Sequence, residues 1–398
     1  MKRHFSFLLL LLFAAQAHAQ IYYSEPYATG TGSSWFDPGD LETLLTNAPD
    51  GSQVWVKQGL YDISNTIVIT HSISIYGGFE GTENNPSERS LITHNYSILH
   101  APSQIMIGSI LSVNVDPYNG IHPVIQNISH FELDGFYLEN AFTGSWGGAL
   151  RVESVDNLVL RNIVVRFCQA YDGGGMYLEN IPLGYMENVM FWENYASCYG
   201  GGLFVSDCEN FIMVNTAFNG NYAGCSNSPV PPHLKETYGS SGLFFEQSKI
   251  DVHFMTLTQN SFGKGGYVAR STVHFNNVIS YPDSINIEYN HNDTVYYDHC
   301  CLWTTDHLRL QGLVYMPYLG DWTNMIVDWD VHNTVIETNI ISSNPLYDLN
   351  TYFPYPYLQS GSPCIDAGSG TYGIPYDLFG LQRPSGTNMD IGAMEYQQ

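Results

Sequence analysis

Between Trp146 and Tyr281 short runs of alternating apolar and polar residues recur, each opened by small residues. GGALRVE at 147–153 is answered by GGGMYLE at 173–179, GGGLFVS at 200–206, SSGLFFE at 240–246 and KGGYVAR at 264–270. The anchor positions Ala149, Gly175, Gly202, Gly242 and Gly266 advance by about 25 residues per step, with one longer step, a spacing typical of solenoids. The alternation has period two, so each run predicts a β-strand. Leu150, Met176, Leu203, Leu243 and Tyr267 then form one inward column, and Val152, Leu178, Val205, Phe245 and Ala269 a second. Arg151, Tyr177, Phe204, Phe244 and Val268 point outward, as do Glu153, Glu179, Ser206, Glu246 and Arg270. The opposite assignment would bury Glu and Arg side chains at a prohibitive desolvation cost unless they were paired.

A second strand follows in each unit, at 158–165, 185–191, 211–218, 252–258 and 273–279. Asn162, Asn188, Asn215 and Asn277 recur within it, and Asn194, Asn221 and Asn260 recur after it. Asn accepts left-handed backbone and bonds neighbouring chain, so stacked Asn amides can form ladders. Two strands and two turns per lap of about 25 residues predict a parallel β-helix, an all-β fold.

The chain divides into four parts. Residues 1–19 read as a secretory signal, with Lys2-Arg3-His4, an apolar run from Phe5 to Ala15, and Ala17-His18-Ala19 as the cleavage site. Residues 20–100 read as an N-terminal cap with a short helix at 40–45 and strands near 53–57, 66–69 and 72–76. A solenoid end exposes strand edges that must be covered. Rungs occupy 101–345, weakening after 282, with strands expected at 284–289 and 294–298 and a Pro-rich insertion at 226–239. Residues 346–398 close the fold. No later stretch is apolar enough to span a membrane, and a monomer is expected.

The closing and opening stretches carry a resemblance. VWVKQGLY at 54–61 with IYGGFEGTE at 75–83 resembles the start of secreted bacterial right-handed parallel β-helix proteins of the pectate-lyase-like superfamily. SPCIDAG at 362–368, DLFG at 377–380 and DIGAMEY at 390–396 resemble the segment called choice-of-anchor Q. The Gly-Gly and Asn pattern is similar to the repeats of chlamydial polymorphic membrane proteins. The resemblance implies a right-handed helix and an exported protein of the cell surface or medium. It implies no single reaction, because that superfamily holds lyases, hydrolases and adhesins.

Charge and cysteines narrow the picture. The chain has 13 Lys plus Arg against 38 Asp plus Glu, a net charge of -25. That argues against nucleic acid and anionic lipid as partners. Of seven cysteines, Cys198 and Cys225 occupy equivalent places one rung apart. The inter-strand spacing of about 4.8 Å lies within the range a disulfide needs, so this pair is expected to bond.

The outward columns hold the candidate chemistry. Glu153 and Glu179 should be direct neighbours, with Glu246 two rungs from Glu179. Such carboxylate pairs serve glycoside hydrolysis, at about 5 Å in retaining and roughly 6.5–9.5 Å in inverting enzymes. Tyr177, Phe204 and Phe244 lie one strand position away, Trp146 and Tyr199 just before the Gly runs, and Arg151 and Arg270 at the ends. Together they predict a polysaccharide or cell-surface glycan site, with Glu153, Glu179 and Glu246 as acid, base or nucleophile. The competing readings are a solvated face on a non-catalytic adhesin or scaffold, and a calcium-dependent lyase in which the Glu column takes the cation. No cofactor is otherwise required. His253 and His274 align as a weaker metal pair. His291, Asp293, Asp298, His299, Asp306 and His307 form a loose cluster without zinc spacing.

Overall fold

The structure is a computed structural model that describes residues 20–91, 96–102, 109–114, 128–224, 241–260, 264–281, 283–287, 293–302, 334–348, 357–370 and 373–397. The signal-like segment 1–19, the insertion 226–239, Cys225, His291, Asp306 and His307 lie outside the described residues.

Apolar alternation builds three parallel sheets around one bore. The long sheet runs in chain order through Ile21–Ser24, Ser52–Lys57, Ile73–Phe79, Phe131–Glu139, Asn157–Arg166, Leu183–Trp192, Asn210–Asn219, Lys249–Thr258, Thr272–Ser280, Thr294–Asp298 and Thr334–Thr338. A second sheet stacks Ile67–Ile69, Leu111–Val113, Leu150–Glu153, Met176–Glu179, Leu203–Ser206, Leu243–Glu246, Lys264–Ala269 and Ser284–Ile287. A third stacks Gln169–Ala170, Tyr195–Ala196 and Tyr222–Ala223. Each lap therefore sits on the one before it, and the chain is an all-β parallel β-helix.

One continuous apolar core extends from Leu41 to Cys300. Leu150, Met176, Leu203 and Leu243 are fully buried in it, as are Val152, Leu178, Val205 and Phe245. Phe191 stacks on Phe218 at 4.7 Å, and Phe275 on Tyr297 at 5.2 Å. Burying each such side chain contributes about 1.5–3 kcal/mol. The helix Leu41–Asn47 packs Leu41, Leu44 and Leu45 against the first strands, and the Asp40 carboxylate caps it by accepting the Thr43 N–H at 2.9 Å.

Both Asn series form ladders. Inside the turns, Asn194 donates its amide to Asn221 and Asn221 to Asn260, each at 3.0 Å, and Asn260 donates to Asp283 at 2.6 Å. Their second amide hydrogens satisfy the carbonyls of Val165, Phe191 and Phe218. On the outer side, Asn215 donates to Asn188 and Asn188 to Asn162, each at 3.1 Å, all three in left-handed backbone. Phe254 takes the next place in that column, also left-handed (φ 59°), and interrupts the ladder before Asn277.

The C-terminal segment folds back over this outer column. Gly392 N–H donates to the Asn277 carbonyl at 2.9 Å, Ala393 N–H to Thr256 Oγ1 at 3.0 Å, and Asn215 donates to the Tyr376 carbonyl at 2.8 Å. The acids of its motifs hold this strap in shape. Asp377 accepts the N–H groups of Phe379, Leu381 and Glu395, and Asp390 those of Asp366 and Tyr396.

Three expectations are corrected. Leu243 pairs with Gly266 and Phe245 with Val268, so Gly266 and Val268 face inward while Tyr267 joins the outward aromatic column. The apolar Val268 claims the bore, and the fifth repeat, Lys264–Ala269, sits one residue away from the alignment read off its glycines. Ala269, not Arg270, therefore partners Glu246. His274 pairs with Asp251, to which it is bonded at 3.0 Å, and His253 pairs with Asn276, so the two histidines are not a stacked pair. The outward aromatic column is covered, since Tyr177, Phe204 and Phe244 are each only 6% exposed.

Candidate functional site

The second sheet positions the site. Its outward residues stack as the register requires, Tyr177 on Phe204 at 4.9 Å, Phe204 on Phe244 at 5.0 Å and Phe244 on Tyr267 at 5.2 Å, and Trp146, from the turn before Leu150–Glu153, stacks on Tyr177 at 5.8 Å. Tyr199 leans against Phe244 at 4.9 Å. Adjacent strands set these spacings, so the rings form a continuous wall.

Trp146, Asp172 and Tyr199 occupy one place on successive rungs, each just before a glycine in left-handed backbone: Gly147, Gly173 and Gly200 (φ 68°, 60° and 62°). These turns need glycine. A Cβ on Gly173 would lie 2.3 Å from the Met176 carbonyl oxygen, and one on Gly174 2.3 Å from that of Tyr195. Sequence reasoning singled out the two aromatic members of this column and passed over Asp172. A carboxylate where both neighbouring rungs carry aromatic rings was the available signal.

Glu153 and Glu179 are register partners, as expected, and Ser206 separates Glu179 from Glu246. Their surroundings differ. Arg151 and Glu153 form a buried ion pair at 2.6 Å, with the guanidinium 4.8 Å from the Trp146 ring. The desolvation objection to buried Glu and Arg is met here by mutual pairing. The Tyr177 hydroxyl donates to Glu179 at 3.1 Å, and burial with the nearby carboxylates raises the phenol well above its ordinary value.

The open part of the site lies at the other end of the wall. A cleft of about 250 Å³ is lined by Asp172, Tyr199, Phe204, Phe244, Glu246, Tyr267, Ala269 and Arg270. Of the residues expected from the sequence, the structure brings Tyr199, Phe204, Phe244, Glu246 and Arg270 to this cleft, and leaves Trp146, Arg151, Glu153, Tyr177 and Glu179 outside its lining. Arg270, which is exposed, pairs with Glu246 at 3.2 Å and donates to Gln247 at 3.0 Å.

Asp172 is 8% exposed and accepts the Tyr199 N–H at 2.9 Å. Burial raises its carboxyl to about 6, against the lowering effect of the Tyr199 and Trp146 hydrogen bonds, and the charge of Glu246 adds to the rise. The cleft thus joins an acid that holds its proton in mildly acidic water to a second carboxylate beside a cation.

No family model matches the chain, and no curated protein matches it. Solved structures do. Pectate lyase Pel9A aligns over 95% of this chain and 96% of its own, at 14% identity and a TM-score of 0.36. ORF18 of Geobacillus virus E2 aligns over 66% of this chain and 52% of its own, at 11% identity and a TM-score of 0.31. The deglycosylated pectin methylesterase of Aspergillus niger aligns over 80% of this chain and 85% of its own, at 12% identity and a TM-score of 0.24.

Among the described residues no group of three or more His, Cys, Asp or Glu side chains is arranged to hold a metal ion. Asp298 and His299 pair with each other at 2.9 Å. Among those residues, too, no helix is long and apolar enough to cross a membrane. Cys198 is buried two residues beyond the Ala196–Ala223 register pair; its expected partner Cys225 is not described.

Proposed function

We propose that this is an exported polysaccharide-active protein whose cleft binds a neutral glycan and hydrolyses it. The observation that carries the reading is Asp172: a carboxylic acid held near pH 6 by burial, sharing a cleft with Glu246 and a wall of aromatic rings. A general acid must hold its proton at working pH, while its partner must be ionised. Asp172 protonates the leaving glycosidic oxygen, and Glu246, paired with Arg270, acts on the opposite side as base or nucleophile. Water completes the cleavage, giving a new reducing end. Tyr199, Phe244 and Tyr267 offer faces on which pyranose rings rest.

Neutral glycan is favoured over polyuronate because the cleft places two carboxylates against one cation already engaged by Glu246. A lyase would need cations facing the uronate carboxylate. The signal-like residues 1–19 support export, and the 362–396 motifs support a choice-of-anchor Q closing segment.

Reducing-end release from a soluble β-glucan, xylan and mannan at pH 5.5 tests the reading. Asp172→Asn and Glu246→Gln should each lower the rate at least 100-fold while circular dichroism and glycan binding persist. Binding without any release by the wild-type chain would favour the scaffold reading. Unsaturated products absorbing in the ultraviolet, formed only with calcium, would favour the lyase.

A further inference from the structure

A second aromatic cluster lies on the long sheet, where its strands end and the chain turns. The turn column there is left-handed in successive rungs: Asn140, Phe167, Glu193, Gly220 and Gln259 (φ 63°, 55°, 50°, 65° and 54°). Asn and Gly suit this conformation; a phenylalanine costs about 1–2 kcal/mol there. Phe167 nevertheless holds it while 40% exposed to solvent. Its ring meets Trp192 at 4.9 Å, and the Trp192 indole N–H is fixed on Glu193 at 3.1 Å.

Arg166 is the hub. Its guanidinium lies 5.3, 5.6 and 5.8 Å from the rings of Tyr137, Phe167 and Trp192. Glu139 neutralises it through two bonds, at 2.7 Å from Nε and 2.5 Å from Nη2, and Glu139 also bonds His100 Nδ1 at 2.9 Å. The platform thus combines the exposed Phe167 ring and the half-buried Trp192 ring with charge-balanced hydrogen-bonding groups.

We infer that Phe167, Trp192 and Arg166 form a second, non-catalytic binding platform for a neutral polysaccharide. A pyranose has an apolar C–H face that suits an aromatic ring, and a rim of hydroxyls that suits an Arg–Glu pair. An anionic ligand is disfavoured, because Arg166 is already bound twice by Glu139 and Glu193 flanks the ring pair. The inference goes beyond the cleft, since none of its residues lines that cavity.

Affinity electrophoresis through gels containing soluble β-glucan, xylan or mannan tests it, using the full chain. At least one polymer should retard the wild-type protein. Phe167→Gly, which relieves the left-handed strain and so keeps the fold, should weaken retardation at least threefold, and Phe167→Gly with Trp192→Ala at least tenfold. The Glu246→Ala/Arg270→Ala variant should lose only the share of retardation that the cleft contributes, and adding Phe167→Gly and Trp192→Ala to it should remove what remains. Equal retardation of wild type and the platform double variant, with folding confirmed by circular dichroism, overturns the inference. Retardation by none of the polymers also overturns it and leaves the platform to a protein partner. Repeating the comparison in the Asp172→Asn background, where release is lost and binding persists, removes hydrolysis from the readout, so the platform and the catalytic reading fail separately.

Discussion

The guanidinium of Arg383 lies 4.3 Å from the ring centroid of Phe254, the residue that interrupts the outer Asn ladder. The same guanidinium donates to Glu395 at 3.0 Å and to the Gly392 carbonyl at 2.8 Å, in a site with no solvent access to either side chain of the ion pair. Burial lowers Arg383 from its ordinary value, opposed by Glu395, Asp377 and Asp390, while burial raises Asp390 and Glu395. One strap cation thus sits where the helix presents a ring in place of an amide.

Removing that cation strands buried carboxylates. Arg383→Ala is expected to cost about 3–5 kcal/mol, measured as a lower urea midpoint. Arg383→Met combined with Glu395→Gln should cost less than Arg383→Ala, because it also removes the carboxylate that the cation pairs with most directly. Equal losses would show that packing on Phe254 dominates.

The inner ladder gives a second expectation. Asn221 accepts from the N–H and amide of Asn194 and donates to Phe191 and Asn260. Asn221→Ala leaves several buried groups unpaired at about 1–3 kcal/mol each, so a total loss of about 3 kcal/mol or more is expected. Hydrogen exchange should accelerate first at Asn194 and Cys168, whose N–H groups belong to the same ladder.

Asp172 predicts a pH dependence. Its folded value, about 6, lies above the ordinary 3.8. The folded state therefore favours the protonated acid, and the associated stability is full below pH 4 and lost as pH rises through 6. The shift corresponds to at most about 3 kcal/mol. Asp172→Asn should differ little from wild type in stability at pH 4 and exceed it above pH 7, by thermal unfolding across pH. A constant difference would mean that Asp172 is not buried as a protonated acid.

The solenoid was legible because its cause is local and repeated. Alternation in 150–153 and its counterparts, glycine at the turns and Asn at fixed offsets state the same rung several times, and neighbouring rungs need only stack. Glu153 beside Glu179, and the ring column of Tyr177, Phe204 and Phe244, followed directly. The fifth repeat misled because two adjacent glycines, Gly265 and Gly266, offer two alignments, and only packing of Val268 selects one.

The site was only half legible. Repeat arithmetic names the residues that share a column but not the column's depth. Arg151 and Glu153 close on each other, whereas Arg270 reaches back from the next turn to Glu246, and neither outcome follows from spacing. Asp172 resembles any turn aspartate until burial beside Tyr199 raises its proton affinity.

The amino-acid sequence by itself determined the lap, its strands and the residues that face one another across rungs, since these depend on backbone period and apolar alternation. Only the tertiary structure decided which outward carboxylate is paired, which carboxyl burial raises and where the wall of rings opens. It also decided that the C-terminal strap lies over the helix's flank at Phe254. Those outcomes depend on desolvation and on contacts between segments far apart in the chain, and neither is encoded in a local pattern.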